Sequence, residues 1–346
     1  MSSVENIFDF LDENYIPEKL PFRESQILFI KDKIEKYSKN FKPTYLLIFG
    51  SSGLGKTASV KYVFKNFQIL GIKYVYLNAF VYNTSSLLLS KIAEELKILE
   101  IRGISKEEIL ERIVNYLKNS NLKIVICIDE IDKVKDINEI LYIFSRMTFL
   151  YNYYPYLILI SNNKDFILNL DQRVLSSLNF DELEFKQYTF EQLKTIAEER
   201  VKLIFQNNYD KAAITLIANL AYNYNSDVRI ILKVLKKALE ILLEKNENKL
   251  SIEIIKEVIK KFEKKKIDTL DEKIKLINDE RQKEIINLLK EKEMTTTELF
   301  EIINKKFNIK RRMFNYLLKD LVNKNIIEIK RVNGIKGSKF VAKLIL

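Results

Sequence analysis

The chain has 346 residues, 47% of them hydrophobic, and a formal net charge of +11, which suits two or three domains with substantial cores. It contains no histidine, which excludes a Ser-His-Asp site and any His-ligated metal centre, and its single cysteine, Cys127, excludes an internal disulfide framework. No apolar run reaches the length of a membrane span and no signal-peptide pattern opens the sequence, so we expect a cytoplasmic protein without a membrane partner.

A glycine-rich segment from Gly50 to Thr57 fits the phosphate-binding pattern G-x-x-x-x-G-K-[ST]. The apolar run at 45–49 predicts a buried strand before it, and residues 58–64 predict a helix after it. In this setting the backbone N–H groups of the loop face an anion at a helix N-terminus. Lys56 is predicted to reach the β- and γ-phosphates, and Thr57 to place its hydroxyl on Mg²⁺. The predicted nucleotide-binding residues of this segment are Gly50, Ser52, Gly53, Leu54, Gly55, Lys56, Thr57 and Ala58.

A second apolar run, at residues 123–128, ends in the carboxylates Asp129 and Glu130. Such runs are typical of buried parallel strands, and ligands in parallel sheets bind at the carboxyl ends of the strands. Asp129 is therefore predicted to be the second partner of the Mg²⁺ on Thr57, and Glu130 to polarise an attacking water. The next predicted strand ends before Asn162, whose amide is a candidate for holding the water or the γ-phosphate. Taken alone, such an asparagine is more typical of a helix cap or a turn.

Strand and helix patterns alternate over residues 45–185 and predict an α/β core with a parallel five-stranded sheet and flanking helices. Residues 189–265 are helical throughout and predict a small α-helical lid. The charge-rich residues 260–266 predict a linker at its end. The chain is therefore predicted to contain a nucleotide-binding core at 1–188, a helical lid at 189–266 and a further domain at 267–346.

The last domain carries most of the positive charge, since residues 301–346 contain twelve Lys or Arg against three Asp or Glu. Three helical segments followed by two β segments predict a C-terminal winged helix-turn-helix, and Thr295 with Glu298 predicts a capping box at its second helix. Winged helices also serve as protein docking modules, but this charge favours double-stranded DNA. The predicted DNA-contacting residues are Lys310, Arg311, Arg312 and Asn315 on the third helix, and Lys336 and Lys339 on the wing.

Short segments along the chain carry a family resemblance. They are residues 15–24 (YIPEKLPFRE), residues 76–84 (YLNAFVYNT), residues 160–163 (ISNN) with 171–178 (DQRVLSSL), and residues 226–229 (SDVR). In this order they resemble the N-terminal signature, second strand, sensor 1 segment and sensor 2 motif of archaeal replication initiators of the Orc/Cdc family of AAA+ ATPases. The resemblance spans residues 15–232, and the winged helix covers the remainder.

The resemblance implies roles for individual residues. Asn162 is expected to be the sensor 1 residue that reads the γ-phosphate, and Arg229 the sensor 2 arginine that reaches the nucleotide from the lid. Without the resemblance, Arg229 would be an ordinary residue on an amphipathic helix. Pro21, Phe22 and Arg23 are expected near the adenine, and a helical insertion near residues 80–100 is expected to contact DNA.

The sequence departs from the family pattern at three positions. Phe22 stands where histidine is usual, which leaves the adenine environment open, and Ser226 stands where the sensor 2 motif has glycine. Ser177 stands where clamp loaders and some eukaryotic relatives carry a trans-acting arginine finger, with Arg173 nearby as a weaker candidate. Because such a cation accelerates phosphoryl transfer by roughly a thousandfold or more, we expect slow hydrolysis and long-lived bound ADP.

Together these features predict a weak ATPase, dependent on ATP and Mg²⁺, that initiates replication. It would recognise origin DNA together with other initiator copies and help recruit the replicative helicase, with the nucleotide acting as a switch. One alternative is a regulatory paralogue, encoded by a cell, plasmid or virus, that binds origins or promoters without loading helicase. A second is a STAND-type signalling ATPase, which assembles through protein contacts and has little affinity for DNA.

Overall fold

The computed structural model describes residues 8–39, 45–98, 103–177, 180–324, 326–334 and 337–345. The chain divides into two compact units, Met1–Ile255 and Lys256–Leu346. The predicted boundary between core and lid, at residue 188, falls inside the first unit. Among the residues described, no helix is both long and apolar enough to cross a membrane.

A five-stranded sheet forms the centre of the first unit, with the strand order β2-β3-β4-β1-β5 and every neighbouring pair parallel. The strands β3 and β4 are almost wholly buried, as continuous apolar runs predict for central strands. The order brings the carboxyl ends of β1, β3 and β4 next to one another, and it confirms the predicted sheet. The strands are β1 (Tyr45–Phe49), β2 (Ile72–Asn78), β3 (Lys123–Asp129), β4 (Tyr156–Ser161) and β5 (Phe180–Glu184).

Helices flank this sheet and cover its apolar faces. One of them, α5, has no counterpart among the predicted elements, although its buried residues Ile140, Leu141, Phe144 and Met147 recur at helical spacing. These side chains pack into the main hydrophobic core beside β3 and β4. The helices are α1 (Glu24–Ser38), α2 (Lys56–Asn66), α3 (Ser85–Glu95), α4 (Lys106–Asn119), α5 (Ile137–Tyr151) and α6 (Gln172–Ser177), with 3-10 turns at Ile131–Lys133 and Lys164–Asn169.

The chain after residue 188 is helical, as predicted, and begins with a capping box between Thr189 and Gln192. The predicted linker at 260–266 is wrong, because α10 runs through it without interruption. Lys, Glu and Phe without any Gly or Pro sustain a helix, and a high charge is as typical of an exposed helix as of a linker. The helices are α7 (Phe190–Phe205), α8 (Lys211–Asn223), α9 (Val228–Lys245) and α10 (Ile252–Lys275), and the division between the two units lies within α10.

After the remainder of α10, the described residues of the second unit form three helices and an antiparallel sheet of order β6-β8-β7, an arrangement typical of a winged helix. Thr295 and Glu298 form the predicted capping box at the start of α12. The core includes Phe314, Leu317 and Leu321 from one face of α13. The elements are α11 (Glu280–Glu291), β6 (Met294–Thr295), α12 (Thr296–Phe307), α13 (Arg311–Asn323), β7 (Ile327–Gly334) and β8 (Gly337–Leu344).

Candidate functional site

The glycine-rich loop leaves β1 and enters α2 through residues with positive φ. At Gly50 (φ 145°) a Cβ atom would lie 2.4 Å from the carbonyl oxygen of Phe185, just after β5. At Gly53 (φ 75°) it would lie 1.8 Å from Oδ1 of Asp227, at the start of α9. Neither the backbone conformation nor the space admits a side chain at these two positions. The loop is thereby held between the end of the sheet and a lid helix, with the N-terminus of α2 at the carboxyl ends of the strands.

Lys56, the first residue of α2, is buried at this edge. Its Nζ donates hydrogen bonds to the carbonyl oxygens of Gly50 (2.6 Å) and Ser51 (2.8 Å) and to Oδ1 of Asn162 (3.0 Å). Burial lowers the pKa of Lys56 to about 8, although the charge of Asp129 acts in the opposite direction. The structure therefore brings together the predicted phosphate-binding lysine and the predicted sensor 1 asparagine.

Asp129, the last residue of β3, is buried beside Thr57. Its Oδ2 accepts hydrogen bonds from Thr57 Oγ1 (2.6 Å) and from the hydroxyl of Tyr76 (2.7 Å), and its Oδ1 accepts one from the backbone N–H of Glu130 (2.9 Å). The threonine hydroxyl and the carboxylate thus stand side by side, as two oxygen ligands of one hard cation must.

Tyr76 has no predicted role in the site, although its hydroxyl reaches into it. Burial and then the charge of Asp129 raise the pKa of Tyr76, so it remains a hydrogen-bond donor at neutral pH. The signal that could have found it is its position in β2, two residues before the carboxyl end of the strand that neighbours β3. The direction of its side chain and the reach of its hydroxyl depend on the folded sheet.

Glu130 follows Asp129 with a left-handed backbone (φ 55°), a conformation that costs a non-glycine residue about 1–2 kcal/mol. The turn separates the carboxylates after β3. Asp132 accepts a hydrogen bond from Ser161 Oγ (3.0 Å), whereas Glu130 lines the cavity above the loop. Of Glu130 and Asp132, Glu130 is therefore the one that faces the cavity, and its role as the base that activates water stays a prediction.

Arg229, near the start of α9, reaches the loop from the lid. It forms an ion pair with Asp227 (2.6 Å) and donates a hydrogen bond to Ser52 Oγ (2.7 Å). The hydrogen bond with Asp227 raises the pKa of Arg229. The backbone N–H of Val228 also donates to the carbonyl oxygen of Gly53 (3.2 Å). The predicted sensor 2 residue thus contacts the phosphate loop from the lid.

Arg23 lies behind the loop. It donates hydrogen bonds to the carbonyl oxygens of Leu54 (2.9 Å) and Lys186 (3.0 Å), and its guanidinium lies 3.7 Å from the ring centroid of Tyr188. Burial lowers its pKa. Pro21 lines the cavity, whereas Phe22 and Arg23 are not among the residues that line it. The expectation that these three residues lie near the adenine stays a prediction. Arg23 ties the loop to the segment that follows β5.

Ser226, which stands where the resembling motif has glycine, is buried with a left-handed backbone (φ 59°). Its hydroxyl donates a 2.8 Å hydrogen bond to the carbonyl oxygen of Tyr188, the residue before the lid begins. The hydrogen bond offsets part of the cost of placing a serine in this conformation. This serine therefore joins the two segments of chain that enter the lid and lead into α9, a role that its neighbours in sequence do not reveal.

A cavity of about 240 Å³ lies above the loop. Its walls come from loop residues 52–58, residues 13–17 and 19–21 of the N-terminal segment, the carboxylates Asp129 and Glu130, and helices α7 and α9. Among the residues described, no cluster of three or more His, Cys, Asp or Glu side chains could hold a metal ion. The donor set fits a Mg²⁺ held by one hydroxyl, one carboxylate and nucleotide phosphates, which is how Mg²⁺ is commonly bound beside phosphates. Thr57 and Asp129 would be its protein partners.

The candidates for an arginine finger lie outside this cavity. Arg173 is exposed and forms an ion pair with Asp171 (3.2 Å), two residues before it. Ser177 is the last residue of α6. A role for Arg173 at the site of a second copy stays a prediction.

The second unit presents basic side chains on the N-terminal half of α13. Lys310, Arg311, Arg312 and Asn315 are all exposed, and so is Lys339 on β8. Lys336 lies outside the described residues.

Arg311 differs from its neighbours because it is partly held in place. Its guanidinium lies 4.6 Å from the ring centroid of Phe300 and 5.6 Å from that of Phe314. A stacked guanidinium loses less conformational freedom on binding a partner. The contacts of these residues with DNA stay a prediction.

The lowered pKa of Lys56 predicts that nucleotide binding takes up protons near pH 8. Phosphate oxygens beside Nζ favour the charged lysine, so the pKa rises in the complex and the bound state holds more protons than the empty one. At pH 8, about half a proton should be taken up per ADP, and affinity should fall by up to about tenfold per pH unit above that. Calorimetric titrations in buffers of different ionisation enthalpy measure the uptake. Affinity and proton uptake that do not change between pH 7 and 9 would contradict the prediction.

Comparisons with known proteins agree with this geometry. Residues 39–156 match the family model of an AAA domain. The ORC1-type DNA replication protein 1 of Archaeoglobus fulgidus is 31% identical over 265 residues, which cover 74% of this chain and 65% of that protein, just under two thirds of its length. The ORC1-type DNA replication protein of Thermococcus kodakarensis is 30% identical over 284 residues, covering 78% of this chain and 68% of that protein.

Among solved structures, the Aeropyrum pernix ORC1 protein in complex with DNA is similar, with a TM-score of 0.68 and 25% identity, over 97% of this chain and 92% of that one. The sequence similarity therefore extends over 74–78% of the chain, and the similarity of fold over 97% of it. Its sequence identity to these relatives shows that the chain belongs to the family of archaeal ORC1-type DNA replication proteins.

Proposed function

We propose that this chain is an ATP-dependent replication initiator that recognises origin DNA and helps recruit the replicative helicase. In this proposal ATP and Mg²⁺ bind at the loop of residues 50–57, hydrolysis is slow, and the bound nucleotide acts as a switch. Other copies of the chain bind beside it on the DNA. The protein would act at the nucleoid, in the cytoplasm.

The observation that carries the proposal is the exposed basic surface of α13 in a chain of this family. A helix of this kind enters the major groove, where arginine and lysine contact guanine or phosphate and asparagine contacts adenine. The nearest acid on the helix, Asp320, is paired with Lys324 (2.6 Å). The basic side chains at the other end of α13 are therefore not neutralised by it. Family membership also favours a DNA partner over the protein partners of a signalling ATPase, because a related ORC1 protein is known in complex with DNA.

The switch rests on the position of Arg229. This arginine lies on a lid helix and bonds to Ser52 in the loop, so a phosphate bound by the loop would compete with Ser52 and Asp227 for its guanidinium. A triphosphate and a diphosphate would engage Arg229 to different extents and would favour different positions of the lid. The position of the lid would then change how the chain binds DNA or partner proteins, according to the nucleotide that is bound.

A salt titration of duplex binding tests the DNA part of the proposal. Replacing Arg312 with Ala should lower affinity roughly fivefold and, if the side chain contacts phosphate, reduce the slope of log K against log [salt] by about 1. Lys324→Ala is the matched control, because it removes the same charge at the other end of α13. Equal effects of the two variants would contradict a specific role for Arg312. Little binding of the wild-type chain at low salt would contradict a DNA partner.

Helicase recruitment separates the initiator from the regulatory alternative. Footprinting on the DNA that flanks the gene would locate a binding site, and the replicative helicase of the same host can then be pulled down on that DNA with and without the protein. Recruitment that depends on the protein and on ATP supports the proposal. Tight, specific DNA binding without recruitment would favour a regulatory paralogue.

A further inference from the structure

Tyr76 contacts the candidate magnesium site, although the family resemblance assigns this residue no role there. It belongs to β2, which pairs with β3 in a register that sets Tyr76 against Cys127 and Asn78 against Asp129. From that position its hydroxyl donates to Oδ2 of Asp129 at 2.7 Å. The same oxygen accepts the hydrogen bond of Thr57 at 2.6 Å.

These hydrogen bonds fix the orientation of the Asp129 carboxylate. The torsion about the last bond of an aspartate is broad, so the carboxylate rotates readily unless both of its oxygens are engaged. Here Oδ1 is held by the backbone N–H of Glu130 (2.9 Å), and Oδ2 by two hydroxyl groups. When Thr57 turns its oxygen toward a cation, Tyr76 remains as a donor that holds Oδ2 in place.

The ring of Tyr76 is itself held in position. The Nζ atom of Lys61 lies 4.5 Å from its centroid, within the range of a cation–π interaction. Lys61 lies on α2, one turn after Thr57, so strand β2 and helix α2 both constrain the phenol. A phenylalanine would preserve this packing and remove only the hydroxyl.

We propose that Tyr76 is a positioning residue for the magnesium ion of this site, which it serves by orienting the carboxylate of Asp129. The inference rests on the proposed binding of a Mg²⁺–nucleotide at the loop. Tyr76 does not touch the nucleotide in this role and acts through Asp129 alone. Groups that orient a metal ligand in this way commonly change metal affinity by about tenfold or more when removed.

The test compares the affinity of a fluorescent ADP in excess Mg²⁺ with its affinity in EDTA. In Tyr76→Phe the affinity in EDTA should match the wild type, and the gain on adding Mg²⁺ should shrink by about tenfold. A Mg²⁺ titration at fixed nucleotide should show a correspondingly higher midpoint. Thermal unfolding of the nucleotide-free variant checks that the fold is kept.

Tyr74→Phe is the matched control. Tyr74 lies two residues earlier in β2 and donates its hydroxyl to the carbonyl oxygen of Phe67 (3.0 Å), away from Asp129. The Mg²⁺ requirement of the Tyr74→Phe variant should equal that of the wild type. In an Asp129→Asn background, adding Tyr76→Phe should change nothing further, because the two residues act as one unit.

The outcomes separate this inference from the proposed function. A Mg²⁺ midpoint that is unchanged in Tyr76→Phe, while the wild type depends on Mg²⁺, overturns the role of Tyr76 and leaves the proposed function standing. So does an equal shift in Tyr76→Phe and Tyr74→Phe. A wild-type chain that binds ADP equally well with and without Mg²⁺ overturns the inference together with the magnesium site.

Discussion

Replacing Lys56 with Ala should abolish measurable nucleotide binding while leaving the fold intact. In the free protein, the ammonium group donates to two loop carbonyl oxygens and to Asn162. In the complex it would bond to charged phosphate oxygens, and hydrogen bonds to charged groups contribute about 1.5–3 kcal/mol each. Loss of two of them predicts about 3–6 kcal/mol, which is two to four orders of magnitude in affinity. Calorimetry or a fluorescent ADP measures this directly.

The nucleotide-free Lys56→Ala variant should unfold at nearly the same temperature as the wild type. Alanine removes three hydrogen bonds of Lys56, but it also removes a charge that burial disfavours, as the lowered pKa of Lys56 indicates, and the two effects oppose each other. The rise in thermal midpoint on adding ADP should vanish. Lys65→Ala, at an exposed position on the same helix, is the control and should bind normally. Unchanged ADP affinity in Lys56→Ala would refute the assignment of the loop.

Replacing Glu130 with Gln should retain ATP binding and stop turnover. The substitution keeps the size of the side chain and removes the carboxylate that would take a proton from water. General-base catalysis contributes roughly a hundredfold to ten-thousandfold, and the rate of γ-phosphate release should fall by that factor. Since wild-type hydrolysis is expected to be slow, single-turnover experiments with protein in excess over labelled ATP give the clearest measurement.

Asp132→Asn is the matched control for Glu130. Asp132 also follows β3, but its carboxylate is engaged by Ser161 and lies 3.1 Å from Lys133 Nζ, so it should contribute little to hydrolysis. Turnover that persists in Glu130→Gln would remove Glu130 as the activating base. A loss of ATP affinity equal to the loss of turnover would mean that Glu130 serves binding and not the chemical step.

Much of the first unit could be predicted because its determinants are local. Short apolar runs, each of a length typical of a strand, alternate with segments of helical periodicity. This alternation implies a parallel sheet. In such a sheet the carboxyl ends of β1, β3 and β4 form one edge, so the sequence alone predicts that Lys56, Asp129 and Asn162 meet there. The contacts of Lys56 with Asn162 and of Thr57 with Asp129 agree with that expectation.

The errors also have local causes. Residues 260–266 were predicted to be a linker because they are rich in charge, but a solvent-exposed helix has the same composition. Helix α5 is signalled only by the helical spacing of its apolar residues, because no N-terminal side-chain cap marks its start. Both cases show that composition must be weighed against periodicity.

The sequence by itself determined the class of the site, since a phosphate loop, a strand ending in Asp129 and Glu130, and a basic C-terminal domain are patterns of neighbouring residues. Only the tertiary structure decided which side chains support that site. Arg23 lies behind the loop, Ser226 bonds to Tyr188, and Tyr76 holds Asp129. Each of these contacts joins residues at least 31 positions apart, and none is forced by the spacing of either partner. The direction of a side chain across a packed interface follows from the assembled backbone, which no short stretch of sequence encodes.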